Sequence, residues 1–101
     1  MKDESQQGKG LRRRVSVRYE GRVQGVGFRF TVVHLSARFD VTGYVLNEYD
    51  GSVRLVAEGA EPILLEFLRA IRLSPLGRYI TGETAAWSEA TGEFDAFGVK
   101  F

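Results

Sequence analysis

Apolar residues in this chain follow two different periods, and the order in which those periods alternate restricts the fold more than any other feature. Val15, Val17 and Tyr19 alternate with Ser16, Arg18 and Glu20, the period of two that buries one face of a β-strand. After a glycine-punctuated stretch, residues 21–29, the spacing changes. Phe28, Val32, Leu35 and Phe39 share one face of a helix over residues 28–39. Asp40 stands where the residue beyond a helix end belongs. Residues 41–46 read as a second strand, with Gly43 as a thin spot. Asn47-Glu48-Tyr49-Asp50-Gly51 is turn chemistry, with Asp-Gly its strongest element. Residues 52–58 alternate again, with Val53, Leu55 and Ala57 on one side, so the two strands form a hairpin. Gly59-Ala60-Glu61-Pro62 opens a second helix, where Pro62 suits the first turn and Glu61 the positive end of the dipole. Leu64, Phe67, Leu68 and Ile71 form its apolar stripe, and Ser74-Pro75-Leu76-Gly77 breaks it. Residues 79–87 read as a strand, 88–93 as a polar loop, and 94–101 as ending in a short strand.

The order is β-α-β-β-α-β, the split βαβ arrangement. The expected fold is an α+β, ferredoxin-like sandwich with two helices packed on one face of an antiparallel sheet. The other face is expected to be partly open to solvent, which fits the polar alternates Ser16, Arg18, Glu20 and Arg54. At 101 residues, 44% of them hydrophobic and 27% charged, the chain makes one globular domain with a real core. Residues 1–12 are polar and without periodicity. They read as a flexible arm, leaving residues 13–101 as the domain. Arg12-Arg13-Arg14 reads as part of a solvated basic tail or as a contact for an acidic partner.

What the chain lacks narrows its chemistry. It has no cysteine, which excludes a disulfide framework, a thiolate nucleophile and cysteine-bound metal. His34 is its one histidine, so a two-histidine metal site is excluded too. An enzyme of this composition works with carboxylates, arginines, amides, hydroxyls and backbone groups. Net charge is +1, but residues 1–14 hold five basic and two acidic side chains, so they carry +3 and the remainder −2. That balance argues against a domain that neutralises many phosphates, and no nucleic-acid partner is expected. No apolar run approaches the roughly 18 residues of a bilayer span, and the first ten residues have no hydrophobic stretch of a signal peptide. The expected location is the cytoplasm, without a membrane partner.

The informative stretch is Gln24-Gly25-Val26-Gly27-Phe28-Arg29, between a strand and a helix. A loop there can aim successive backbone N–H groups at one point, at the positive end of a helix dipole. Glycines let an anion approach the backbone closely, and an arginine adds a planar fork that grips two oxygens of one phosphate. The chemistry implied is the cradling of a small tetrahedral anion. A dinucleotide fingerprint would need a third glycine where Phe30 stands, and a Walker loop would need a terminal Gly-Lys-Ser/Thr. An RNA-recognition motif has a similar glycine-aromatic run on the same fold. It carries that run on its third strand, with an aromatic where Val26 stands here. A glycine loop that merely turns a corner would leave Arg29 and the second glycine without a role.

Gly21-Arg22-Val23-Gln24-Gly25-Val26-Gly27-Phe28-Arg29, followed by Gly43-Tyr44-Val45-Leu46-Asn47, by Asp50-Gly51-Ser52-Val53 and by Gly59, strongly resembles the acylphosphatase family over residues 15–101. The resemblance implies metal-independent hydrolysis of the carboxyl–phosphate bond of acyl phosphates on the ferredoxin-like fold, with no cofactor. By motif position, Arg29 would bind the phosphate, the backbone N–H groups of Gln24, Gly25, Val26, Gly27 and Phe28 would complete the cradle, and Asn47 would orient the attacking water. It further implies an acyl phosphate as substrate and inorganic phosphate as product and inhibitor; a monomer is expected, with the oligomeric state left open by the edge strands. The alternative is a non-catalytic module on the same fold that binds phosphate, carbamoyl phosphate or a partner. Taken alone, Asn47 also reads as turn chemistry. Ser52 reads as a strand-start residue beside it, His34 as a packing or surface residue, and Glu48 and Tyr49 as exposed turn residues. The chain departs from the family pattern where Asp40 replaces the usual glycine, at Ser74-Pro75 in place of Gly-Pro, and over residues 76–87, where the register of the fourth strand stays open.

Overall fold

The computed structural model describes residues 11–101; the greater part of the polar arm read from the sequence, residues 1–10, lies outside them. The elements follow the expected order. They are β1 (Arg12–Gly21), α1 (Phe28–Ser36), β2 (Thr42–Asn47), β3 (Val53–Ala60), α2 (Glu61–Leu73), a 3₁₀ turn (Pro75–Tyr79), β4 (Ile80–Glu89) and β5 (Phe97–Val99). The sheet runs β4-β1-β3-β2-β5. Three of its four pairings are antiparallel, and the fourth joins β5 to β2 in parallel, with Gly43 opposite Phe97. The ferredoxin-like α+β sandwich is as expected, with this short parallel strand added at one edge.

Most residues assigned to the core by periodicity are buried, Leu35 and Phe39 being half-buried, and Val23, Val45, Val56 and Leu76 join the core without having been assigned to it. Val15, Val17 and Tyr19 of β1, Val53, Leu55 and Ala57 of β3, and Val45 of β2 are fully buried under Leu64, Phe67 and Ile71 of α2 and Phe28 and Val32 of α1. Each such side chain contributes about 1.5–3 kcal/mol on removal from water. Phe67 sits between Phe39 and Phe97, with ring centroids 5.5 and 5.4 Å away, so the second helix also pins down β5.

The boundaries depart from expectation where side chains intervene. The α1 helix stops at Ser36, whose hydroxyl donates to the Val33 carbonyl at 2.6 Å. The following amides of Ala37, Arg38 and Phe39 then donate to carbonyls three residues back. This tighter winding carries the apolar stripe on to Phe39, although Asp40 is not the residue that ends the helix. At the end of α2, Ser74 donates to the Ile71 carbonyl and accepts from the Leu76 amide, joining the helix to the 3₁₀ turn.

The largest departure is at the start of β1. Arg12, Arg13 and Arg14 are not part of a tail; they pair with Ala60, Gly59 and Glu58 of β3. Arg13 meets Glu61 at 3.2 Å, and Arg14 meets Glu58 at 2.7 Å and Glu93 at 2.9 Å. Glu58 is fully buried, and its carboxylate also accepts from the amides of Thr91 and Gly92. The strand β4 continues through Ser88 and Glu89, where a loop was expected over 88–93, and the remainder of that loop is drawn across the sheet face opposite the helices. Phe94 follows, lying under the Arg14 guanidinium and edge-on to Tyr44. That face is thus less open than its polar alternation suggests.

Candidate active site

The loop after β1 begins with a register shift at Glu20/Gly21 and is tied to the 3₁₀ turn by the Arg22 amide, which donates to the Tyr79 carbonyl. Val23, fully buried, anchors it from below. Gly25 and Gly27 both adopt left-handed backbone, with φ of 81° and 77°, a conformation that costs other residues roughly 1–2 kcal/mol. A Cβ at either position would meet nothing within 4 Å. Packing therefore does not require these glycines. The backbone conformation does, and it leaves space in front of the loop.

Gly27 is also the N-cap of α1, and no side chain caps that end. The first helical bond runs from the Thr31 amide to the Gly27 carbonyl, so the amides of Phe28, Arg29 and Phe30 have no partner within the helix. No acidic residue occupies the first turn. An uncapped helix terminus with its positive end facing open space is a ready anion site.

A cavity of about 290 Å³ opens there, small for a ligand pocket. Gly25, Gly27, Arg29 and Asn47 supply its polar side, and Val23, Phe28, Val99 and Phe101 much of its apolar wall. The two side chains expected to do chemistry thus reach one cavity from different elements: Arg29 from the start of α1 and Asn47 from the end of β2. Arg13, Arg14, Arg18, Arg54 and Arg72 are all ion-paired. Arg29 pairs with no carboxylate among the described residues; its guanidinium lies 5.2 Å from the Phe101 ring. Asn47 is exposed.

Two cradle residues are placed differently from their neighbours. Val26 is packed against the core. The side chain of Gln24 turns away from the helix end and donates from Nε2 to the carbonyls of Glu48 and Ser52, both at 2.8 Å. What these two residues can offer an anion is their backbone N–H. Nothing in the sequence pairs position 24 with 48 and 52, so this contact was not legible.

The β2–β3 turn is itself tightly braced. Asp50 accepts from both the amide and the hydroxyl of Ser52 and from Arg18, and these bonds hold its carboxyl far below the usual carboxylate range. Ser52, nearly fully buried, therefore serves Asp50; the hydroxyl does not bond Asn47. Glu48 pairs with Arg54 at 2.6 Å, Tyr49 is fully exposed, and His34 is exposed on α1 away from the cavity. The glycine-aromatic run lies in a loop and at a helix start, not on a central strand as an RNA-recognition motif would have it.

Fold and site together define a ferredoxin-like α+β domain with a glycine loop and an uncapped helix N-terminus facing a small cavity. Comparison narrows the class. Residues 15–99 match the family model of acylphosphatase. A curated acylphosphatase of Salinibacter ruber is 44% identical over 91 residues, covering 90% of this chain and 96% of the relative. The crystal structure of acylphosphatase from Bacillus subtilis superposes with a TM-score of 0.78 at 29% identity, covering 88% of this chain and 99% of that one. The chain belongs to the acylphosphatase family. A full-length HypF structure, described as phosphate- and nucleotide-bound, shares the fold at 24% identity and a TM-score of 0.77. The match takes in 89% of this chain and 12% of that one.

Proposed function

We propose that the protein is an acylphosphatase, hydrolysing acyl phosphates to a carboxylate and inorganic phosphate, and that Arg29, Asn47 and the backbone amides of residues 24–28 carry the reaction. The observation behind this reading is the meeting, in one small cavity, of an arginine with no carboxylate partner among the described residues, an uncapped helix N-terminus behind two left-handed glycines, and a carboxamide from a separate strand. The phosphoryl group would lie against the loop amides and the Arg29 fork, which neutralise its oxygens without a metal. Asn47 would accept a hydrogen bond from a water and hold it in line with the acyl oxygen. An amide does this without setting a negative charge beside a dianion. The water oxygen bonds to phosphorus as the bond from phosphorus to the acyl oxygen breaks, the carboxylate leaves with that electron pair, and the water proton passes to a phosphate oxygen. A carboxylate is a good leaving group, so positioning and charge stabilisation suffice and no strong general acid is needed.

Hydrolysis of benzoyl phosphate in the presence of EDTA tests this. The wild type should turn over, and Arg29→Gln and Asn47→Ala should be folded and impaired. A folded wild type without turnover leaves the competing reading, a phosphate-binding module on the same fold, which the likeness to one part of a larger protein keeps in view. A monomer in the cytoplasm, with inorganic phosphate as product and competitive inhibitor, completes the proposal. It fits a cysteine-free domain in which no helix among the described residues is long and apolar enough to cross a membrane.

A further inference from the structure

We infer that Gln24 is a positioning residue, whose side-chain amide braces the anion-binding loop against the β2–β3 turn and so fixes where Asn47 stands relative to bound phosphate. The inference rests on the hydrolase reading above. In the sheet, β1 and β2 lie on opposite sides of β3. The loop that follows β1 and the asparagine that ends β2 therefore hang from strands that share no ladder, about 9–10 Å apart across two strand spacings. Reaction geometry nevertheless depends on their separation, because the loop holds the phosphorus and Asn47 holds the nucleophile.

Among the described residues, the hydrogen bonds that cross from the loop to the turn are the two from Gln24 Nε2, to the Glu48 and Ser52 carbonyls at 2.8 Å each. Those carbonyls also close the turn itself: the Glu48 amide donates to the Ser52 carbonyl, and the Gly51 amide to the Glu48 carbonyl. Gln24 thus places both of its amide hydrogens on the two acceptors at the mouth of the turn, one peptide unit from Asn47. Arg18 also holds the turn, through Asp50, but from β1 rather than from the loop. A glutamate in place of Gln24 would present acceptors to two carbonyls and push the turn away, and a methionine would keep the length while removing both donors.

The test is steady-state hydrolysis of benzoyl phosphate by Gln24→Met and Gln24→Glu, with the inhibition constant of inorganic phosphate measured alongside and thermal melts showing each variant folded at the assay temperature. Gln24→Met should lose about tenfold or more in kcat, with the phosphate inhibition constant within about twofold of wild type, because misplacement acts on the nucleophile and not on the cradle. Gln24→Glu should lose at least as much. In an Asn47→Ala background, Gln24→Met should cost little more, since its effect runs through a side chain already gone. If Gln24→Met fails to fold, Gln24→Asn keeps the amide on a stem too short to span the gap and should show the same split. Unchanged kcat in a folded variant, a parallel loss of phosphate affinity, or a full additional loss in the Asn47→Ala background each overturns the brace. A wild type without turnover overturns the hydrolase reading itself, whereas an active wild type with an unaffected Gln24→Met overturns the brace alone.

Discussion

Among the described residues, Arg29 is the arginine that reaches the cavity, and no carboxylate there spends its charge. Its contact with the Phe101 ring is worth about 0.5–1 kcal/mol and leaves the guanidinium's donors free. A preorganised donor aimed at developing charge contributes about 2.7–4 kcal/mol of barrier, so Arg29→Gln should lower kcat/KM for benzoyl phosphate at least about a hundredfold. Arg29→Lys should recover part of that loss, because an ammonium supplies charge without the planar fork. Asn47→Ala should act on kcat more than on the phosphate inhibition constant, since the water and not the phosphate loses its partner. Arg29, Asn47 and the two glycines were legible in the sequence because each belongs to a compact motif. The side-chain role of Gln24 was not, because its acceptors are main-chain carbonyls far along the chain, and any residue type supplies a carbonyl.

At the scale of elements, the α1 terminus and the first part of β1 behave as opposite poles of the sheet. Gly27→Ala forces a left-handed alanine and should cost about 1–2 kcal/mol of stability. Its methyl would also stand in the space before the loop, so phosphate affinity should fall by more than the melting temperature alone suggests. At the other pole, burial would raise the pKa of Glu58, but the amides of Thr91 and Gly92 and the Arg14 guanidinium outweigh it and hold the carboxyl below its ordinary range. A carboxylate depressed on folding stabilises the protein above its unfolded pKa of about 4.3, and that stability is lost as pH falls through the lower folded value. Glu58→Leu should therefore be destabilised by about 3 kcal/mol at neutral pH and by less in acid. Denaturant melts at both pH values measure this. The register separates Glu58 from Val53, opposite Asn47, by five residues, about 17 Å along the strand, so turnover by the folded variant should be unchanged. The sequence did not foretell this pole. Arg12, Arg13 and Arg14 have no apolar alternation, and the carboxylates that pair with Arg13 and Arg14 lie at positions 58, 61 and 93.

For the molecule as a whole, alternating periods were enough to give the order of elements and most core positions of β1, β3 and the two helices, because both depend on which local faces are apolar. A short strand near the end of the chain was legible, but its parallel pairing with β2 was not, since three residues carry too little pattern and their partner strand lies far back in the chain. The charge balance also takes a different meaning once the fold is known. Two of the arginines that made the first part of the chain look basic, Arg13 and Arg14, are ion-paired at the start of the sheet. Deleting residues 1–10 should accordingly leave benzoyl phosphate hydrolysis intact, as an assay of the shortened chain can show.

The short β5 has a consequence for how the protein breathes. It is an edge strand of three residues whose one ladder partner is β2, yet Val99 and Phe101, in or just beyond it, line the cavity. Such a segment opens locally at far lower free energy than the global unfolding of β1 and β3. The amide of Lys100, bonded to the Val45 carbonyl, should therefore exchange with deuterium well before those of the central strands. If the opened form has lost its anion site, phosphate at a hundred times its Kd should raise the cost of opening by about 2.7 kcal/mol. The slowing of that one amide would then report occupancy of a site on the other side of the cavity.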